Sequence, residues 1–167
     1  KMKLADYEAI QHPLVSRALE SAQKKIEGFH FDSRKQVLEY DNVLNQQRQS
    51  IYLRRRKILM ATAEELKDIF DPKTTSPEAQ NMKKDMGDEL FYKTAQNLWL
   101  QINDYFWMNH LDHMDHLRMS VGLRGVGQRD PLVEYKREGL GMFKDLEQKV
   151  EDEFVRAMGH IQMNKTQ

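Results

Sequence analysis

The stretch VGLRGVGQRDP, residues 121–131, decides the fold because it separates two long helical patterns. Three glycines stand within six residues of it, and clustered glycines disfavour a continuing helix. Asp130 and Pro131 then provide an N-cap and a first helical residue. A short connection leaves the second helix little choice of neighbour, so the sequence predicts two antiparallel helices folded around this turn.

The segments on either side of the turn have the periodicity of buried helices. Between residues 98 and 117 apolar side chains occur almost all round the helix, so we expect it to contact more than one neighbour. After the turn, apolar residues recur at spacings of three, four, four and seven. This stripe comprises Phe143, Leu146, Val150, Phe154 and Ile161. The sequence shows no strand alternation, and the predicted fold class is all-α.

A long helix is predicted in the first third of the chain. Pro13 suits a first helical position, Gly28 weakens the helix begun there, and Asp32 is a suitable N-cap for a second helix. No proline occurs between Asp32 and Pro72, so this second helix is expected to run to about Met60. Its apolar seam repeats every seven residues, at Val37, Leu44, Ile51 and Ile58.

Two short helices are predicted next, in a segment with a surplus of acidic side chains. Thr62 and Glu65 have the spacing of a capping box, which predicts a helix immediately after Thr62. Ser76 and Pro77 provide the N-cap and first residue of another helix. Gly87 is expected to kink that helix or to restart it.

Length and composition bound the architecture. The chain has 167 residues, enough for one core, and we divide it into a long-helix segment (1–60), a short acidic helical insert (61–88) and a helical pair (89–167). Its apolar runs are far shorter than the roughly 20 residues that span a bilayer. The chain contains no cysteine, which fits a cytoplasmic setting. Its N-terminus lacks the apolar core of a signal peptide and is interpreted as a cut inside a longer chain.

Charge is balanced overall but segregated along the chain. Residues 33–60 carry seven basic and two acidic side chains. This basic segment could contact nucleic acid, anionic lipid or an acidic protein face, or it could be a solvated helix face. The densest basic cluster is Arg54, Arg55, Arg56 and Lys57.

Catalytic and metal-binding motifs were weighed against plainer interpretations. His110, His113 and His116 follow one another in steps of three, which turns the imidazoles progressively round a helix and disfavours a shared metal. We expect His110 and His113 on a buried or interfacial side and His116 more exposed. The chain has no phosphate-binding loop and no cysteine nucleophile, so catalysis by these residues alone is not expected.

The turn itself is the most suggestive candidate site. Its glycines let a backbone approach another chain closely, and Leu123 and Val126 offer apolar contact. Basic side chains are expected to ring it, namely Arg124, Arg129, Lys136 and Arg137. This combination suits a contact with a polypeptide that tolerates many sequences.

Four stretches of the chain resemble the SecA family of preprotein-translocase ATPases. FDSRKQVLEYDNV (31–43) and QRQSIY (47–52) are similar to its helical scaffold domain. WMNHLDHMDHLR (107–118) and GLRGVGQRDPLVEYKRE (122–138) are similar to its two-helix finger. The resemblance implies a long scaffold helix packed against an antiparallel two-helix finger, with a small helical insert in place of a larger wing.

The resemblance also implies a function. SecA is the ATP-driven motor of bacterial preprotein export and docks on the SecYEG channel at the cytoplasmic face of the membrane. Its nucleotide-binding domains have no counterpart in this chain, so we expect no cofactor here, ATP and magnesium in the parent protein, and no activity from the chain alone. The implied partners are the SecYEG channel, the preprotein, the motor domains of the same protein and anionic phospholipid. A basic helical module that binds nucleic acid is the alternative.

Candidate site residues follow from the same resemblance. The finger tip that would contact channel and preprotein is Leu123, Arg124, Gly125, Val126, Gly127 and Gln128. The residues that would join the scaffold to the motor domains are Arg34, Tyr40, Asp41, Arg48 and Tyr52. The chain departs from the family at Val126, where many members have tyrosine, and this leaves Leu123, Arg124 and the backbone as contact points.

Overall fold

A computed structural model describes residues 13–124 and 130–160, and the regular structure within these ranges is entirely helical. Five α-helices occur there: α1 (Pro13–Leu59), α2 (Ala63–Phe70), α3 (Pro77–Met86), α4 (Asp88–Arg124) and α5 (Pro131–His160). A single 3₁₀ turn, Asp71–Lys73, follows α2. The all-α prediction is confirmed. None of the described helices is long and apolar enough to cross a membrane.

The first helix is continuous, which corrects the expected interruption near its middle. Gly28 and Asp32 both lie inside α1, and Asp32 does not begin a new helix. A lone glycine costs about 1 kcal/mol relative to alanine inside a helix, whereas restarting a helix would require a second unfavourable nucleus. Helix α1 therefore runs through both residues to Leu59.

The chain divides into two compact units, and the division falls inside α1 between Asp41 and Asn42. The described part of the first unit is helix alone, and it exposes many apolar side chains. They include Leu14, Leu19, Ile26, Phe29, Phe31, Val37 and Leu38. The seam predicted along the whole of α1 is therefore buried only in part, since Val37 is 48% exposed while Ile51 and Ile58 are buried. The three-segment division made from sequence stays a prediction.

The core of the second unit lies between α4 and α5. His110 of α4 faces Phe143 of α5, and Met114 faces Gly139, so the two helices run antiparallel. The predicted stripe on α5 is buried at Phe143, Leu146, Val150 and Phe154, while Ile161 lies outside the described residues. Helix α4 contributes Phe91, Trp99, Ile102 and Trp107 to the same cluster, and α1 contributes Ile51 and Ile58.

The short insert begins and ends where its capping signals predict. The Thr62 hydroxyl accepts a hydrogen bond from the Glu65 backbone N–H, and the Glu65 carboxylate accepts one from the Thr62 N–H at 2.8 Å. Ser76 caps α3 through the Ala79 N–H. Gly87 has φ 81°, a left-handed conformation that favours glycine, and α4 restarts at the next residue.

The insert is fastened to the pair α4–α5 by apolar packing and by charge. Phe70 is fully buried, and its ring lies 5.1 Å from that of Phe154 on α5. Lys73 forms an ion pair with Glu151, also on α5. These contacts hold the end of α2 against the C-terminal half of α5.

A second fastening joins α3 and α4 to the end of α2. Asp71 accepts hydrogen bonds from the Lys83 ammonium at 3.0 Å and from the Tyr92 hydroxyl at 2.6 Å. The hydrogen bond to Tyr92 and the pairing with Asp71 raise the pKa of Lys83 to about 12, although burial opposes them. Burial alone would raise the pKa of Asp71, but the hydrogen bonds from Tyr92 and Lys83 outweigh it and lower that pKa. Asp71 is therefore ionised and paired at neutral pH.

We predict that Asp71→Asn lowers the free energy of unfolding by about 1–2 kcal/mol, because a charged acceptor for two donors is lost. Urea denaturation measures the change. Asp68→Asn, a neighbouring exposed carboxylate on α2, is the matched control and should shift stability by less than about 0.5 kcal/mol. Equal effects of the two substitutions would contradict the role given to Asp71.

Candidate functional site

The turn between α4 and α5 begins later in the chain than its first glycine predicts. Helix α4 continues through Val121 and Gly122 to Arg124, so the predicted beginning of the turn at Val121 is wrong. One exposed glycine can be tolerated in a helix whose other face is buried. The returning helix begins at Pro131 as predicted, and the Asp130 carboxylate accepts a hydrogen bond from the Leu132 N–H at 2.9 Å.

Four of the six predicted tip residues, Gly125, Val126, Gly127 and Gln128, lie outside the described residues, as does Arg129. The other two lie on the last turn of α4 and differ in environment. Leu123 is 81% exposed. Arg124 instead forms a bidentate ion pair with Glu138 of α5, Nη1 to Oε1 at 2.9 Å and Nη2 to Oε2 at 3.0 Å. Its Nη2 also donates to the Ser120 hydroxyl at 3.0 Å.

The ion pair makes Arg124 a brace between the two helices. Its hydrogen bond with Glu138 raises the pKa of Arg124, and the same bond lowers the pKa of Glu138. Arg137 similarly pairs with Glu134 on α5. The cations predicted to ring the turn are thus partly balanced by carboxylates of the same hairpin, and Leu123 offers the clearer contact surface.

A buried polar junction joins α1 to both helices of the pair. The Gln47 side-chain nitrogen donates to the Gly139 carbonyl at 3.0 Å, and the Gln47 oxygen lies 2.9 Å from His110 Nε2. Because a carbonyl can only accept, the Gln47 nitrogen faces Gly139 and its oxygen faces the imidazole. His110 therefore carries its proton on Nε2 and donates it to Gln47.

Gly139 packs closely against α4 at this junction. A Cβ built there would lie 2.9 Å from Met114 Cε, at the flexible end of that side chain, and 3.8 Å from the Gln47 nitrogen. A larger residue at 139 would therefore require Met114 to shift. The sequence-based reasoning missed Gln47, although it lies three residues after Leu44 and four before Ile51, the spacing of the buried face of α1.

The three histidines lie in different environments, as their spacing implies. His110 is buried, and desolvation, helped by the charge of His113, lowers its pKa to about 4. His113 is exposed and lines a groove between α4 and α5, so it is interfacial rather than buried, and the exposure of His116 is confirmed. Within residues 13–124 and 130–160, no group of three His, Cys, Asp or Glu side chains could hold a metal ion.

The basic cluster of α1 is partly neutralised by its neighbours. Arg54 pairs with Glu147 of α5 at 2.5 Å. Arg55 forms three hydrogen bonds with Asp104 of α4, at 2.9, 3.3 and 3.1 Å. These pairs direct two of the four cations toward the protein, which weakens the interpretation of the cluster as a nucleic-acid surface.

The residues predicted to contact motor domains fall in both units. Arg34, Tyr40 and Asp41 belong to the first unit, and Arg48 and Tyr52 to the second. Tyr40 is buried and the other four are exposed. Their proposed contact role stays a prediction.

Comparison with known proteins places this architecture in a family. The SecA Wing and Scaffold domain family matches residues 9–76 and 73–162. The chain belongs to the SecA family. A Protein translocase subunit SecA of Maridesulfovibrio salexigens is 33% identical over 216 aligned positions, which cover 98% of this chain and 26% of that protein. Proteins of the same name from Halothermothrix orenii and Nitratidesulfovibrio vulgaris are 31% and 33% identical, each over 99% of this chain and 26% of the relative.

The chain spans about a quarter of the length of these SecA relatives and is shorter within the matched region. At least 49 of the 216 positions aligned with the Maridesulfovibrio SecA (216 minus 167) hold no residue of this chain. The two segments that match the SecA family meet at residues 73–76, between α2 and α3. This agrees with a wing reduced to the short insert.

We predict that the His110 imidazole, followed by NMR, stays neutral down to about pH 5. Because its pKa in the folded protein lies below the ordinary 6.5, the unfolded chain binds the proton first as the pH falls. The free energy of unfolding should therefore decrease by roughly 1–3 kcal/mol between about pH 6.5 and 4. His110→Gln, which keeps a donor for Gln47, should lose this part of the pH dependence. Titration of His110 near pH 6.5 would contradict the buried junction.

We predict that Glu138→Gln accelerates hydrogen exchange of the amides in the last turn of α4, because Arg124 loses its charged partner. Global stability should change little, since Arg124 is more than half exposed and such ion pairs contribute weakly. Glu153→Gln removes the carboxylate of another ion pair on α5, away from the turn, and serves as the control in hydrogen-exchange mass spectrometry. Unchanged exchange at residues 121–124 would argue against the brace.

Proposed function

We propose that this chain is the helical scaffold and two-helix finger of a SecA motor for Sec-dependent preprotein translocation. In this proposal α4 and α5 form the finger, and their turn contacts the SecYEG channel and the translocating polypeptide. The observation that carries the proposal is the construction of the pair: two long antiparallel helices with a shared core, joined near the turn by Arg124 and Glu138. Membership of the SecA family supports it.

The pair is built as a lever. Helix α4 has 37 residues, a length of about 55 Å at 1.5 Å per residue. Its buried residues continue from Phe91 to Val121, so apolar packing supports almost the whole helix. Load applied at the turn is therefore transmitted along two packed helices to the base, where Phe154 meets the insert.

Contact at the turn is proposed to be apolar and tolerant of sequence. Leu123 is exposed at the end of α4, while Arg124 is held by Glu138. A moving polypeptide presents many different side chains, and an apolar group beside an accessible backbone can contact most of them without specific hydrogen bonds. Leu123 is accordingly the principal described contact residue, with Arg124 fixing its position.

The scaffold side is proposed to join the rest of the longer protein. The apolar residues exposed on the first part of α1 would pack against motor domains that bind ATP and magnesium, with Arg34, Tyr40, Asp41, Arg48 and Tyr52 as further contacts. The chain alone would then be inactive as an ATPase. The intact protein would associate with the cytoplasmic face of the membrane through the channel and anionic phospholipid.

A photo-crosslinking amino acid at Leu123 or Val126 of the full-length protein tests the finger assignment. With the translocation channel and a stalled preprotein present, both positions should capture channel or preprotein. Leu140 is an exposed apolar residue of α5 farther from the turn, and a crosslinker there should capture several-fold less. Labelling confined to the motor's own domains, or equal capture from position 140, would overturn the assignment.

A further inference from the structure

We propose that Gln47 is a positioning residue that fixes the axial register of both α4 and α5 against α1. Its amide contacts one atom of each helix: it accepts from His110 Nε2 at 2.9 Å and donates to the Gly139 carbonyl at 3.0 Å. Gln47 and His110 are 7% and 3% exposed. A single side chain on the long helix thus holds both halves of the pair.

Apolar contact alone would define this register weakly. Leu44, Ile51 and Ile58 recur every seven residues along the face of α1 that meets the pair. Hydrophobic contact is non-directional, so a displaced helix would exchange one apolar neighbour for another. The long apolar stripe stabilises the packing without selecting one axial position.

Buried polar atoms do select a position. A displacement by one helical turn would leave the Gln47 amide and His110 Nε2 buried without partners, and buried polar groups without hydrogen bonds are strongly unfavourable. A buried asparagine specifies register in coiled coils for the same reason. Gly139 adds a close contact, because a Cβ there would come within 2.9 Å of the Met114 Cε and require that side chain to shift.

Other contacts between α1 and the pair are less selective. Arg54 reaches only α5 and Arg55 reaches only α4, and in both ion pairs the side chains are about a third exposed or more. Their long, flexible side chains can follow a small displacement of either helix. Gln96 donates to the Ile58 carbonyl at the end of α1 and so joins α4 alone to that helix.

The register matters for the tip because the pair is a continuous lever. An axial displacement at Gln47 moves Leu123 by the same distance relative to α1. The functional consequence, that Gln47 sets how far the tip reaches from the scaffold, rests on the finger function proposed above. The register itself does not depend on that function.

Distances between nitroxide labels test the register in the full-length protein. The labels are placed on cysteines at Ser50 and Lys144 for α1 to α5, and at Ser50 and Asp115 for α1 to α4, all exposed positions. This chain has no cysteine of its own, and cysteines elsewhere in the full-length protein are replaced by serine. Gln47→Leu removes both hydrogen bonds at similar volume, and Gln46→Leu, an exposed glutamine next to it, is the control.

Narrow distance distributions are expected for the wild type and for Gln46→Leu. In Gln47→Leu at least one distance should broaden or shift by about 5 Å, one helical turn. Gln47→Glu replaces the donor to the Gly139 carbonyl with a carboxylate, so it too should shift the register, and because α4 and α5 share a core both distances should shift together. A general loss of packing would broaden both distributions without a common shift. Unaltered distances in Gln47→Leu would overturn the proposal.

A measurement on the wild type decides the matter if Gln47→Leu does not fold, as judged by circular dichroism. The side-chain amide protons of Gln47 should exchange with solvent at least tenfold more slowly than those of Gln46. Equal exchange would overturn the proposal.

Transport of a preprotein into vesicles that contain the channel separates the register from the function. Gln47→Leu should lower transport per ATP hydrolysed several-fold, and Gln46→Leu should not. If the distances change and transport stays normal, the proposal that Gln47 fixes the register stands, and its proposed effect on the tip is refuted. Failure of the photo-crosslinks at positions 123 and 126 would instead refute the finger function and leave the distance measurements valid.

Discussion

The fold of the second unit depends on burying α4 on several sides. Its aromatic and aliphatic residues cannot be covered by one neighbour, and α5, α1 and the insert each cover part of them. Full burial of one large apolar side chain contributes about 1.5–3 kcal/mol, and the four stripe residues of α5 and the two tryptophans of α4 each contribute on that scale. Among the polar contacts between the helices, the hydrogen bonds of Gln47 with His110 and Gly139 are buried, whereas the Arg54 and Arg55 ion pairs are partly exposed. The faces of α4 that α5 does not cover are the ones against which α1 and the insert pack.

Local signals in the sequence predicted local structure well. The capping box at Thr62, the N-caps at Ser76 and Asp130, and the left-handed Gly87 each act within one helical turn, so their consequences can be derived without knowing the fold. Glycines inside helices were harder to interpret. Gly28 lies in the middle of α1 and Gly122 in the last turn of α4, and the modest cost of a glycine does not end either helix there.

The polar contacts of the candidate site could not be derived in the same way. Periodicity placed His110 on a buried face, but it could not name Gln47, 63 residues away, as its partner. The brace at the turn is similar, because neither Arg124 nor Glu138 indicates its partner until α4 and α5 are paired. The resemblance to SecA predicts a tip at Leu123 to Gln128, and of these residues only Leu123 and Arg124 are described, with Arg124 paired to Glu138. Which side chains pair across two helices depends on how those helices pack. The spacing of residues along one helix does not contain that information.

The short insert restrains the base of the pair, where α4 begins and α5 ends. Phe70 packs on α5, Lys73 pairs with Glu151, and Asp71 joins Lys83 to Tyr92 at the start of α4. A segment tied to both helices at their shared end resists splaying of that end. The opposite end is closed by Arg124 and Glu138, and Gln47 binds the middle to α1. The pair is therefore joined by polar contacts at its two ends and its middle, and because the ion pair at the turn is exposed, the apolar core between α4 and α5 supplies most of the resistance to splaying.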